Sequence, residues 1–163
     1  MGEMPMGEML MGKMLTVQMT KRKDGASVLR CVRADGSVTW QKQDRHAAFF
    51  ALHDLTHFAV ESTLGFHDGF FGLIAQGWDI EETTGKEARG RLGEEAIVVE
   101  RIVGLLGQER ASGAMMTADE FSGFAGRRVA EAELQSVRSL CAELFWQWRE
   151  LPPGSTLQLS WGK

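Results

Sequence analysis

The stretch HAAFFALHDLTHFAVESTLGFH, residues 46–67, holds every histidine of the chain: His46, His53, His57 and His67. From Arg45 to Leu64 there is no proline or glycine, and Ala, Leu and Phe recur. That composition predicts a helix. Asp44 stands where an N-cap belongs, and Gly65 stands where helices commonly end. At 100° per residue, His46, Phe50, His53, His57, Val60 and Leu64 share one face, with Asp54 and Glu61 at its margin. The opposite face carries Ala48, Ala51, Leu52, Leu55, Phe58 and Ala59. A helix that is apolar nearly all round is a buried one, so the other elements are expected to pack around it. Imidazoles on such a helix need partners, because an unpaired buried polar group is costly.

His53 and His57 are four residues apart, which places them one turn from each other on the same face. That spacing allows both imidazoles to bind one metal ion. A third ligand is then required. Glu61 lies eight residues beyond His53, a rise of about 12 Å, too far for bonds of about 2 Å to one ion. Glu61 therefore reads as an orienting partner for His57, and His46 is excluded as a co-ligand of His57 by the same distance. His67 is the preferred third ligand, since Gly65 can turn the chain back over the helix end. Asp68 is the alternative in that loop, and Glu94, Glu95 or Glu100 are options from a later helix. Asp54 is the candidate general base for water activated by a metal; orienting His53 or capping a neighbouring helix are equal alternatives for it.

His53-Asp54-Leu55-Thr56-His57 resembles the His-Glu-x-x-His helix of zinc metalloproteases, with aspartate where glutamate is usual. Gly65-Phe66-His67 is similar to the Gly-x-x-His that brings a third ligand in metzincins, although His67 follows His57 by ten residues rather than six. The resemblance covers about fifteen residues, and it implies zinc and hydrolysis. A His-Asp-x-x-His motif also occurs in a ubiquinone-biosynthesis family, which has a glutamate twelve residues past the second histidine. Gly69 occupies that position here, and the match fails there.

With 163 residues, the size prior is one domain with a substantial core. Hydrophobic residues at 44% and charged residues at 25% are ordinary for a globular chain. The net charge of −4 offers no general argument for nucleic acid. No apolar run of about 18 residues exists, so no membrane span is expected. The N-terminus lacks the basic-then-apolar pattern of a secretion signal. Cys31 and Cys141 have no metal-type spacing and read as free thiols of a cytoplasmic protein.

Residues 1–14 form a Met/Gly-rich tail built on the repeat MGEMP-MGEML-MGKML. Its period of five matches neither helix nor strand. It reads as a tail outside the domain, with Cu(I) binding through thioethers or an adaptable contact surface as alternatives. Residues 15–163 are expected to form one α+β domain. Leu15-Val17-Met19 alternate with polar residues. Asp24-Gly25 and Asp35-Gly36 signal hairpins around a strand from Ser27 to Arg33, and Ser37 to Gln43 completes a three-stranded meander. Residues 13–45 carry eight Lys/Arg against three Asp, but Trp40 is the one aromatic available for stacking, which argues for a solvated face over an RNA-binding one.

Phe70 to Trp78 predicts a short buried helix. Its glycines 69, 72 and 77 fit either close packing or a mobile loop. A helix is expected over 85–107, capped by Thr83 or Thr84. The capping-box signature Thr117-Ala118-Asp119-Glu120 opens another. Arg127 to Leu151 predicts the longest helix, with Leu134, Val137, Cys141, Leu144 and Trp148 as its core stripe. After Pro152-Pro153-Gly154, the alternation from Thr156 to Trp161 predicts a fourth strand that joins the meander. The expected architecture is a four-stranded antiparallel sheet covered by four to five helices.

The preferred function is a metal-binding protein holding zinc, or another divalent transition metal, on His53, His57 and His67. It would act as a small hydrolase on a small-molecule or peptide substrate, with Asp54 and Glu61 in catalytic support. The rival is a non-enzymatic interaction module with structural histidines. A homo-oligomer is compatible with either.

Overall fold

The computed structural model describes residues 14–84 and 91–162. The Met-rich segment 1–13 and the predicted start of the 85–107 helix lie outside the described residues. Strands β1 (Leu15–Lys21), β2 (Ser27–Arg33), β3 (Val38–Gln43) and β4 (Thr156–Trp161) form one antiparallel sheet in the order β3-β2-β1-β4. Among the described residues there are five α-helices: α1 (Ala47–Leu64), α2 (Phe70–Ala75), α3 (Glu94–Ser112), α4 (Ala118–Ala125) and α5 (Glu131–Glu150). A 3₁₀ turn spans Ile80–Thr84. This is the expected α+β arrangement, and none of the described helices is long and apolar enough to cross a membrane.

The two hairpins follow from their turn residues. Gly25 and Gly36 adopt φ of 89° and 86°, the left-handed region that glycine enters at no steric cost. Asp24 and Asp35 accept the backbone N–H two residues on, from Ala26 at 3.0 Å and from Ser37 at 2.8 Å. The period of two then sorts the sheet. Val17 stands between Cys31 on β2 and Leu159 on β4, and Leu15, Met19, Leu29 and Trp161 join it against the helices. The outer face carries the hydrogen-bonded row Gln158, Gln18 and Arg30, continued by Trp40, which is 60% exposed.

Helix α1 lies between the sheet and the other helices, packing against α5, α3, α2 and β2. Leu55, Ala59 and Val60 have no solvent exposure, and burying a side chain the size of Leu55 stabilises the fold by about 2 kcal/mol. In α5 the buried residues are Leu134, Val137, Cys141, Leu144 and Trp148, the stripe that helical spacing predicts. The capping box at Thr117 forms, with Thr117 Oγ1 accepting from Glu120 N at 3.2 Å.

Three helix boundaries differ from the sequence expectation. Asp44 does not cap α1; its carboxylate pairs with Lys42 at 3.2 Å, and His46 occupies the N-cap in a left-handed conformation, φ 54°. The 85–107 helix begins instead at Glu94 after Gly93 and runs on to Ser112, while Thr83 and Thr84 belong to the 3₁₀ turn. The last long helix begins at Glu131, four residues after Arg127.

Candidate metal centre

Helix α1 brings the imidazoles of His53 and His57 together, with ring centroids 4.9 Å apart. His57 is 2% exposed and is held at both nitrogens. Nδ1 lies 3.2 Å from Glu61 Oε2, and Nε2 lies 3.1 Å from Glu100 Oε1, which arrives from α3. Glu61 is 1% exposed, and its other oxygen accepts the backbone N–H groups of Phe71 at 3.0 Å and Gly72 at 3.2 Å. The start of α2 is thus fastened onto the carboxylate that holds His57.

Two glycines make that close approach feasible. A Cβ on Gly69 would lie 2.6 Å from the Glu61 carboxyl carbon, and a Cβ on Gly72 would collide with the His67 carbonyl oxygen. Of the two explanations that the sequence left for these glycines, close packing accounts for both.

The electrostatics follow from this packing. Burial disfavours a charge on His57, but the hydrogen bonds to Glu100 and Glu61 outweigh it and raise the imidazole to about 9. Burial works upward on Glu100 as well, but the His57 hydrogen bond and the nearby imidazole charges hold it below the usual carboxylate range. His53 is lowered, first by burial and then by the charge on His57. Asp54 is 8% exposed and accepts no hydrogen bond among the described residues; burial pushes it up to about 7. Across the α1–β2 contact its charge also helps burial raise the Cys31 thiol to about 12.

One ligand atom from each of His53, His57 and Glu100 can be chosen so that all lie within 4.8 Å of one another. Ligands about 2.1 Å from a tetrahedral metal stand about 3.4 Å apart, so side-chain movements of about an ångström close the set. His57 Nε2 and Glu100 Oε1 are already 3.1 Å apart. The group is reachable from solvent: the Glu100 side chain is 49% exposed, and a cavity of about 380 Å³ opens beside His53 between α1 and α3. An open position of this kind separates catalytic from structural metal sites.

His67 is not part of this group. Gly65 turns the chain in a left-handed conformation, φ 72°, but the turn sends Phe66 into the core and leaves His67 exposed. The His67 and Asp68 N–H groups both donate to Glu95 Oε1, at 2.6 and 3.0 Å, which ties the loop to α3. Glu95 is occupied there, and Glu94 is exposed. Of the later-helix options, Glu100 is the residue that meets the histidines. A signal for it exists in the sequence: Glu100 falls four residues after Ala96 and three before Val103, both on the buried stripe of α3.

The chain matches no family model, no curated protein and no solved structure.

Proposed function

We propose that this chain is a metal-binding protein in which His53, His57 and Glu100 hold one divalent transition metal ion, zinc foremost, and that the centre serves a small hydrolase. The observation that carries this reading is the convergence of two imidazoles and one carboxylate at an accessible point. Two nitrogens and one oxygen form a donor set of catalytic zinc sites and also of iron(II) sites, so both metals belong in the test. A metal held there would supply a Lewis acid and bring the pKa of water towards neutrality.

The surrounding side chains have distinct tasks. Glu61 accepts the Nδ1 proton of His57 and so presents Nε2 to the ligand position. The Phe71 and Gly72 N–H groups in turn keep Glu61 from rotating. Asp54, one turn before His57 and raised to about 7, is the candidate proton acceptor at neutral pH.

A second reading has its own support. Both nitrogens of His57 have carboxylate partners, so the imidazole is satisfied without a metal, as a structural histidine in an interaction module would be. Metal content separates the two. After incubation with zinc and dialysis, mass spectrometry is expected to find one equivalent in the wild type and in His67→Ala. His53→Ala and Glu100→Gln are expected to bind at least about a hundredfold more weakly, since each loses a direct ligand. An empty wild type, or full occupancy in both ligand variants, would favour the structural reading.

A further inference from the structure

Gly104 and Gly107 lie in the interior of α3, where glycine weakens a helix. Neither has the positive φ that demands glycine. A Cβ at Gly104 would meet nothing within 4 Å, and one at Gly107 would meet only the Arg110 tip at 3.9 Å. Close packing therefore explains neither residue. The room they leave is the cavity of about 380 Å³ beside His53.

The walls of that cavity are chiefly apolar, and two of its lining residues are polar in different ways. One is His53, with the Phe49 ring stacked on it at a centroid distance of 5.9 Å. Phe49 also lines the cavity and is 56% exposed, a large aromatic surface left open. The other is Arg110. Its guanidinium lies 5.1 Å from the Phe145 ring centroid, and it forms no ion pair among the described residues. Neighbouring Glu109 is already engaged by Arg138 at 2.6 Å and by Met116 N at 2.7 Å.

We infer that this cavity is the substrate subsite of the proposed centre, and that it takes an apolar-bodied carboxylate. The carboxylate sits on Arg110, the aryl or alkyl body lies over Gly104 and Gly107 against Phe49, and the reacting ester or amide faces His53. The planar guanidinium fork matches a carboxylate in geometry, and a single cation in an apolar cavity suits a monoanion better than a phosphate dianion. The assignment of the reacting end rests on the metal reading; the anion subsite at Arg110 is tested independently of it.

The probes are 3-phenylpropanoate, its neutral amide 3-phenylpropanamide, and phenyl phosphate, titrated by calorimetry into metal-free and zinc-incubated protein. The carboxylate is expected to bind at least about tenfold more tightly than the amide, the worth of one charge-assisted pair, and phenyl phosphate no more tightly than the carboxylate. Arg110→Gln is expected to abolish the preference, weakening the carboxylate about tenfold relative to the amide, with zinc content unchanged. Gly104→Leu is expected to abolish binding of all three probes with no loss of melting temperature, because it fills the cavity and strengthens the helix. Equal binding of carboxylate and amide, or an unchanged preference in Arg110→Gln, overturns the inference even where zinc is bound. An Arg110-dependent preference in protein that takes up no zinc leaves the anion subsite standing and removes the metal reading.

Discussion

Replacing Glu61 with alanine is expected to destabilise the fold by about 3–5 kcal/mol, the cost of removing one partner from a buried charged pair. Glu61 is 1% exposed and receives three donors: His57 Nδ1 and the N–H groups of Phe71 and Gly72. All three lose their acceptor once the carboxylate is gone. The damage should spread to α2, whose first turn is anchored on this side chain. Glu61→Gln keeps an oxygen for the two backbone donors but loses the charge facing His57, so about half of the penalty is expected. Urea unfolding followed by tryptophan fluorescence measures both variants. A loss under about 1 kcal/mol for the alanine variant would mean that the His57–Glu61 pair does not organise the core.

Zinc affinity is expected to rise about fiftyfold between pH 7 and pH 9, because a proton must leave His57 before Nε2 can bind the ion and half of the imidazoles have lost it by about pH 9. The sign follows from the three ligands. His57 is raised to about 9 and so is charged at pH 7. His53 is lowered and already neutral, and Glu100 is lowered and already ionised. One proton is then released per ion. The stability of the metal-free protein should run the other way. The contribution of His57 is fully present below its unfolded value near 6.5 and is lost as the pH rises through about 9. Asp54 adds to the same trend at lower pH, since its neutral form is favoured in the fold up to about 7. Competition against a chelator of known affinity at each pH checks the first expectation. A flat profile would mean that His57 keeps its proton and is not a ligand.

The parts of the fold that could be read from the sequence are those where one strong local signal agrees with the tertiary environment. Ser27–Arg33 and Thr156–Trp161 alternate cleanly and stand as strands with those ends. The five-residue stripe of α5 is buried as its spacing requires. Helix starts were less legible. Asp44 has the right chemistry for a cap, yet the nearby Lys42 takes its carboxylate and the chain enters α1 through a left-handed His46. Thr83 is likewise spent inside the 3₁₀ turn, bonding the Ile80 carbonyl at 2.6 Å.

The site divides in the same way. His53, His57 and Glu61 lie on one helix, so the four-residue rhythm was enough to place them relative to one another. The third ligand depended on how α3 crosses α1, which no local pattern specifies. The proximity of His67 in the chain favoured it, but the direction of the turn after Gly65 and the grip of Glu95 on the loop set its side chain apart from the group. The approach of Glu100 to His57 showed only as its spacing from Ala96 and Val103 on α3.

The most direct test of the metal centre is anomalous diffraction from crystals of the zinc-incubated protein, recorded on both sides of the zinc edge. One strong peak is expected between α1 and α3, about 2.0–2.2 Å from a nitrogen of His53, from His57 Nε2 and from an oxygen of Glu100, with Glu61 still on His57 Nδ1. A peak at His67 and Asp68, or no peak with His57 still bridged between Glu61 and Glu100, would contradict it.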